Sequence, residues 1–175
     1  METWVQTFTG KKFDPYHPMS TDIELLDIAV PLAKMCRYNG HCVGFKHYSI
    51  AEHCCHVSDH CSDKNKLWGL MHDSAEAYIS DIPMPVKRAI PTIDEIEYNI
   101  LNEICHRFPF KQAKIPQQVI EIDRRIQHDE KEQVMTYSHY DWGLIDMPPL
   151  GVEIQFWEPD KAFTEFCNRF MELTK

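Results

Sequence analysis

Histidines and carboxylates with metal-binding and proton-moving chemistry recur through the middle of the chain: His53, the dipeptide His72-Asp73, Glu76 and Asp123. Imidazole and carboxylate together form a mixed nitrogen and oxygen set that suits Zn, Mn, Fe or Co better than Ca. Neighbours on a helix point about 100° apart, so His72 and Asp73 reach one ion only from a helix edge that faces a cavity. Glu76 follows His72 by four residues and Asp73 by three, which puts all three on one face. Asp123 stands among Val119, Ile120, Ile122 and Ile126, where an unpaired carboxylate is costly and a cation is a good partner. Ten histidines are the outlier of the composition and make a metal site worth seeking.

The elements that must position these residues read as helices. The first starts near Ser20–Asp22 with Ile23, Leu26, Ala29, Val30 and Ala33 inward, and Pro31 kinks or restarts it. Gly40 then stands as a helix stop in the loop Arg37–His41. Ser49-Ile-Ala-Glu52 reads as a capping box that starts a helix just before His53 and carries it to about Cys61. Asp63 caps the next helix, which carries Leu67, Leu70, Met71, Ala75 and Tyr78. Thr92-Ile-Asp-Glu95 is a second capping box, with Ile93, Ile96, Ile100, Leu101 and Ile104 as the stripe behind it. Pro116 fits the first turn of a long helix to about Tyr137, and Pro159 opens a terminal one with Phe163, Phe166 and Phe170. Residues 141–158 read as irregular, with a short strand pair between Trp4–Thr9 and Val152–Phe156. The expected architecture is all-α, a single-domain helical bundle over 1–175.

Bulk properties narrow the function classes. The chain has 175 residues, enough to bury a core without disulfides or metal staples. Its net charge of −9 argues against a nucleic-acid polymer as partner but allows a small nucleotide held by local cations and a metal. No run approaches the roughly 18–20 apolar residues of a membrane span, and Met-Glu-Thr-Trp-Val-Gln does not start like a secretory signal. A cytoplasmic location follows as the expectation, the host's cytoplasm if the source is a phage. Seven cysteines without such a signal point to reduced thiols. The run Cys54-Cys55-His56 with His60-Cys61 lacks paired C-x2-C spacing, so a zinc finger is rejected.

His53, then His72-Asp73, then a distant Asp123 resembles the H…HD…D signature of the HD superfamily of metal-dependent phosphohydrolases. The text around these residues is similar to its small nucleotidase branch: Thr9-Gly-Lys-Lys-Phe-Asp-Pro15, Cys36-Arg-Tyr-Asn-Gly-His41, Tyr48-Ser-Ile-Ala-Glu-His53, His72-Asp-Ser-Ala-Glu76 through Asp81-Ile-Pro83, and the late Arg169-Phe170. The resemblance covers roughly residues 8 to 172.

The resemblance implies an HD-domain bundle with His53, His72, Asp73 and Asp123 as ligands to a divalent metal: Zn, Co or Mn first, with Mg a further possibility. Glu76 matches the acid/base carboxylate. Asp81 is either its partner or a helix-stop cap. Arg37 matches a phosphate-contacting arginine, whose fork holds two oxygens at once. Tyr38 either stacks on a base or sugar or is an ordinary core tyrosine. Lys87, in a loop after Pro83-Met84-Pro85, matches the phosphate lysine, with Pro85 beside the substrate; Lys11 or Lys12 could add charge. His41 and His47 read as structural.

The implied reaction is hydrolysis of deoxynucleotides by a metal-activated water, as in 5′-deoxynucleotidases or bacteriophage dATP triphosphohydrolases, with dATP or dAMP favoured. A guanosine tetraphosphate-type alarmone hydrolase and a non-catalytic nucleotide-binding module stand as alternatives. Self-association is expected, with the aromatic terminal helix as one source of interface.

Overall fold

The computed structural model describes residues 3–110, 114–144 and 147–175, and within them the chain is mainly helical. Ile145 and Asp146 of the segment read as irregular lie outside the described residues. The helices are α1 (Leu25–Lys34), α2 (Ile50–His60), α3 (Lys66–Met71), α4 (Glu76–Ile79), α5 (Met84–Ala89), α6 (Pro91–Arg107), α7 (Gln117–Gln133) and α8 (Pro159–Leu173). Helix α2 is the central element, packed by α1, α3, α7 and α8. Its Ile50, Ala51, Cys54 and Cys55 face one apolar cluster with Ile28, Leu32, Ile100, Ile104, Phe166 and Phe170. Val57 and Cys61 face a second with Tyr48, Trp68, Val119, Ile122 and Ile126. His53 shares a face with Val57 at the i,i+4 spacing and so is aimed toward α7.

The capping box at Ser49 forms by half. Ser49 Oγ accepts from the Glu52 backbone N–H at 3.0 Å. The Glu52 carboxylate turns away and accepts the backbone N–H groups of Gln155, Phe156 and Trp157 at 2.8, 3.0 and 2.7 Å. That grip holds Phe156 at φ +54°, a conformation an L-residue adopts at a cost. It also explains why Val152–Phe156 is no strand. The Gln133 side chain and Glu52 take up its backbone groups instead of a second strand. The strand pair among the described residues is a small hairpin, Val5–Gln6 against Lys12–Phe13, turning through Gly10 at φ +86°. Asp27 of α1 anchors its Thr9 through two 2.7 Å bonds, and Phe13 stacks on Tyr78 with ring centroids 3.9 Å apart.

Several boundaries differ from the sequence reading. Ser20–Asp22 is a separate 3₁₀ turn, and α1 starts at Leu25 and runs unbroken over Pro31, burying Asp27, Ile28, Ala29, Leu32 and Ala33 while Leu26 is exposed. Gly40 does not stop α1; it closes a 3₁₀ turn at Arg37–Gly40. Asp63 makes no cap; it sits in a 3₁₀ turn ahead of α3. Thr92 caps nothing, because Pro91 already occupies the first helical turn and fixes the start of α6. Pro116 is the N-cap of α7, which ends at Gln133 rather than Tyr137. Lys87 belongs to the short helix α5 rather than to a loop. Pro159 does open α8, but Phe166 and Phe170 are buried in the core and Phe163 packs against it, so these aromatics are not a free interface. Arg169 clamps α8 to α2 through two bonds to Asp59 at 3.0 and 2.8 Å. No helix among the described residues is long and apolar enough to cross a membrane.

Glu52 gives a test of this architecture. Glu52→Gln leaves one oxygen for three N–H donors and faces another with an NH2, so stability should fall by roughly 2–4 kcal/mol. Urea denaturation reads the change; a wild-type midpoint would show that the 155–157 segment is held by other means.

Candidate metal centre

Two helices and a turn deliver the cluster. His53 comes from the first turns of α2, His72 and Asp73 from the join between α3 and α4, and the half-buried Asp123 from α7. The join has helical dihedrals at His72 and Ala75 but is wound tightly. The N–H groups of Ser74, Glu76, Ala77 and Tyr78 bond carbonyls three residues back at 3.0, 3.0, 3.3 and 3.0 Å. In 3₁₀ winding, residues i and i+3 eclipse, which stacks Glu76 over Asp73.

The candidate ligand atoms converge. His53 Nε2 lies 3.1 Å from Asp123 Oδ1, 3.3 Å from His72 Nε2 and 3.6 Å from Asp73 Oδ2. His72 Nε2 lies 3.3 Å from Asp73 Oδ1 and 3.8 Å from Asp123 Oδ1. Ligands bonded at about 2.1 Å stand about 3.0 Å apart in an octahedron and about 3.4 Å apart in a tetrahedron, so the spacings among His53, His72 and Asp123 suit one small cation, while Asp73 groups with His72 and Cys54. The other ring nitrogens are fixed. His53 Nδ1 is 2.7 Å from the Glu130 carboxylate, and His72 Nδ1 is 2.8 Å from the Gly69 carbonyl. Both partners only accept, so both Nδ1 atoms donate and each ring, once its Nε2 gives up a proton, turns that lone pair inward. The residues present therefore fit a metal ion.

Charge supports the same fit. Asp73 and Glu130 pair with the guanidinium of Arg37 at 3.5 and 3.3 Å, while Asp123 faces the imidazoles of His53 and His72. Three carboxylates against one guanidinium leave negative charge for a divalent cation to balance. Burial opposes the imidazolium form of His72, yet Asp73 and Asp123 raise its pKa well above the usual value. His53 is also raised, with Glu130 and Asp123 outweighing burial and Arg37. Asp123 is held well below the carboxylate range by the two imidazoles, in spite of burial.

The remaining expected residues fall around this cluster. Arg37 is buried, with its Nε lacking a hydrogen-bond partner. The Tyr38 hydroxyl donates to Glu130, and its ring lies 5.6 Å from that of Trp142. Glu76 is buried; Lys87 Nζ stands 3.7 Å from its Oε1 and 2.7 Å from Glu97. Burial and the charges of Asp73 and Asp81 push the Glu76 pKa well above the usual carboxylate range. Asp81 is half-buried and reaches Glu76 through that repulsion, while Pro85 is exposed on α5. Lys11 is spent on Glu24 and the Thr21 carbonyl at 2.8 and 3.0 Å, and Lys12 lies over the Trp4 ring. His47 bonds the Ala33 carbonyl at 3.1 Å, and His41 is exposed. Of the rejected zinc-finger run, Cys55 enters the core and His56 faces Trp157. Cys54, by contrast, brings its sulfur within 4.8 Å of ligand atoms of His72 and Asp73.

Glu130 was missed by the sequence reading. It is fully buried and also accepts from the Tyr48 hydroxyl at 2.9 Å. Arg37 and His53 overcome burial and hold its pKa down at about 2. Its signal was its place seven residues after Asp123, on the same buried face of α7. Glu97, the main partner of Lys87, carried no signal at all.

No protein-family profile matches the chain. It is 39% identical over 98 residues to the uncharacterized protein YfdR of Escherichia coli (strain K12), covering 56% of this chain and 54% of that protein. It is 36% identical over 94 residues to an uncharacterized protein of Rhodobacter capsulatus, covering 50% of this chain and 48% of the other. The chain thus spans about half the length of these curated relatives.

Loss of the carboxylate behind His53 should weaken the centre without removing a ligand. Glu130→Gln is expected to lower Zn or Co affinity by about 10–100-fold. Affinity should also fall on acidification, since the raised pKa values of His53 and His72 make protons compete with the cation. Competitive titration against a chromophoric chelator measures both; a pH-independent affinity equal in wild type and Glu130→Gln would contradict the assignment.

Proposed function

We propose that the chain is a metal-dependent phosphohydrolase of the HD superfamily that acts on deoxynucleotides, mono- or triphosphates, with dATP or dAMP favoured. The observation that carries this reading is a buried carboxylate oxygen without a hydrogen-bond partner beside a cation-sized cluster. Glu76 Oε2 is buried with no hydrogen-bond partner, on a residue eclipsed with Asp73. A purely structural carboxyl that is buried usually has its oxygens satisfied. A bound divalent ion supplies Lewis acidity toward a phosphoryl oxygen and lowers the pKa of water near it.

The chain's own groups then have distinct tasks. His53, His72, Asp73 and Asp123 hold the cation. Glu76, whose hold on a proton burial and the charge of Asp73 strengthen, is the group to give a proton to a leaving oxygen. Lys87, 3.7 Å from Glu76, and Arg37, with a free Nε, supply positive charge for phosphate oxygens. Tyr38 and Trp142 form an aromatic pair near Arg37 that suits the base or sugar. The mixed nitrogen and oxygen ligands, with the Cys54 sulfur close by, favour Zn, Co or Mn over Mg. A cytoplasmic location and self-association belong to the same proposal.

Release of phosphate and triphosphate from a panel of dNMPs and dNTPs with Mn, Co, Zn or Mg tests it. Activity is expected on at least one deoxynucleotide, and an inert metal-loaded protein across the panel would overturn the enzyme reading. Asp73→Ala should lose both metal and activity. Glu76→Gln should keep metal and lose about 10²–10⁴-fold in rate. The wild-type rate should decline on the alkaline side as Glu76 gives up its proton, and a pH–rate profile unchanged by Glu76→Gln would remove it from the reaction.

A further inference from the structure

The turn that carries Arg37 and Tyr38 has a thiol at each end. Cys36 Sγ and Cys42 Sγ lie 3.4 Å apart, in direct contact. Between them the backbone takes three successive left-handed residues, Tyr38 at φ +55°, Asn39 at φ +51° and Gly40 at φ +76°. Gly and Asn accept that conformation readily, whereas a tyrosine does not. Something must hold the turn closed. Its ends are pinned from outside. Cys36 forms a β-bridge with Ser49, and the Val43 N–H bonds the Val134 carbonyl at 2.7 Å. The two sulfurs are thus brought together by the fold around them. A disulfide has an S–S distance of about 2.05 Å, so bond formation needs the sulfurs to close by about 1.4 Å.

We propose that Cys36 and Cys42 are a modification site: a reversible disulfide, made by a peroxide or a small-molecule disulfide, that staples the turn presenting Arg37 and Tyr38. Cys36 is the half-buried and more accessible thiol, and Cys42 is buried behind it. With a peroxide, the Cys36 sulfur takes one oxygen to become a sulfenic acid and one water leaves. The Cys42 sulfur then attacks the Cys36 sulfur, the S–O bond breaks, and a second water leaves with the Cys42 proton. Two thiols are oxidised and one peroxide is reduced to two waters. With a disulfide oxidant, Cys36 first forms a mixed disulfide, and Cys42 expels the second thiol. The staple closes only the seven residues from Cys36 to Cys42, so its effect is local. It holds in place the groups that bond Glu130 and Asp73.

The test uses the full chain, reduced, treated with EDTA and then exposed to hydrogen peroxide or oxidised glutathione. Intact mass should fall by two hydrogens, and non-reducing peptide mapping should show Cys36 joined to Cys42, with reversal by dithiothreitol. The oxidised wild type should melt a few degrees higher than the reduced form, and Cys42→Ser should show no such rise. The mapping needs no variant, so a poorly folding Cys42→Ser leaves the proposal open to refutation. A link between other cysteines, a stable adduct on Cys36 with Cys42 still alkylatable, or a lower melting temperature on oxidation would each overturn it. Because metal is absent throughout, none of these outcomes depends on the activity proposed above.

Discussion

The buried carboxylate of Glu130 is the interaction on which the rest of the centre depends. It is fully removed from water and is offset by donors from four residues: His53, Arg37, Tyr38 and Tyr48. A buried ion is tolerated only when paired and fully hydrogen-bonded, and breaking one partner leaves an uncompensated charge. Each donor therefore constrains the others. The turn at residues 37–40, the segment leading into α2, α2 itself and α7 meet at this one group. Through His53 Nδ1 it also fixes which nitrogen faces Asp123, which is the orientation a metal ligand needs.

The second constraint is the closeness of α2 and α3. A Cβ on Gly69 would stand 2.8 Å from Ser58 Cα, so the two backbones approach at a distance only glycine permits. The same Gly69 offers its carbonyl to His72 Nδ1. The tight winding after Met71 then turns Asp73 and Glu76 to one line. Packing and chemistry are joined there: the close helix approach that buries the core also sets both His72 and its neighbour against the His53 side of the cluster.

Glu52 shows how a local signal can be read correctly and still mislead. Serine followed three residues later by glutamate does start α2, because the serine oxygen satisfies an end N–H. The glutamate goes instead to three N–H groups about a hundred residues away in the chain, since that segment has no strand partner and its N–H groups need acceptors. Thr92 fails for another reason: the preceding Pro91 already sets the helix start. Periodic stripes such as Ile100 with Ile104 and Phe166 with Phe170 were legible because their spacing is imposed by helix geometry alone.

The sequence by itself determined the helical class, most helix positions, and that His53, His72, Asp73 and Asp123 are of the types that could hold a metal, because residue type and local spacing carry that information. Only the tertiary structure decided that ligand atoms of His53, His72 and Asp123 stand 3.1–3.8 Å from one another, since the elements that carry them are far apart in the chain. It alone revealed Glu130 behind His53, Glu97 against Lys87 and the contact of Cys36 with Cys42. Those pairings have no local signature: a carboxylate on a helix face reads as solvated until another helix packs over it and removes the water.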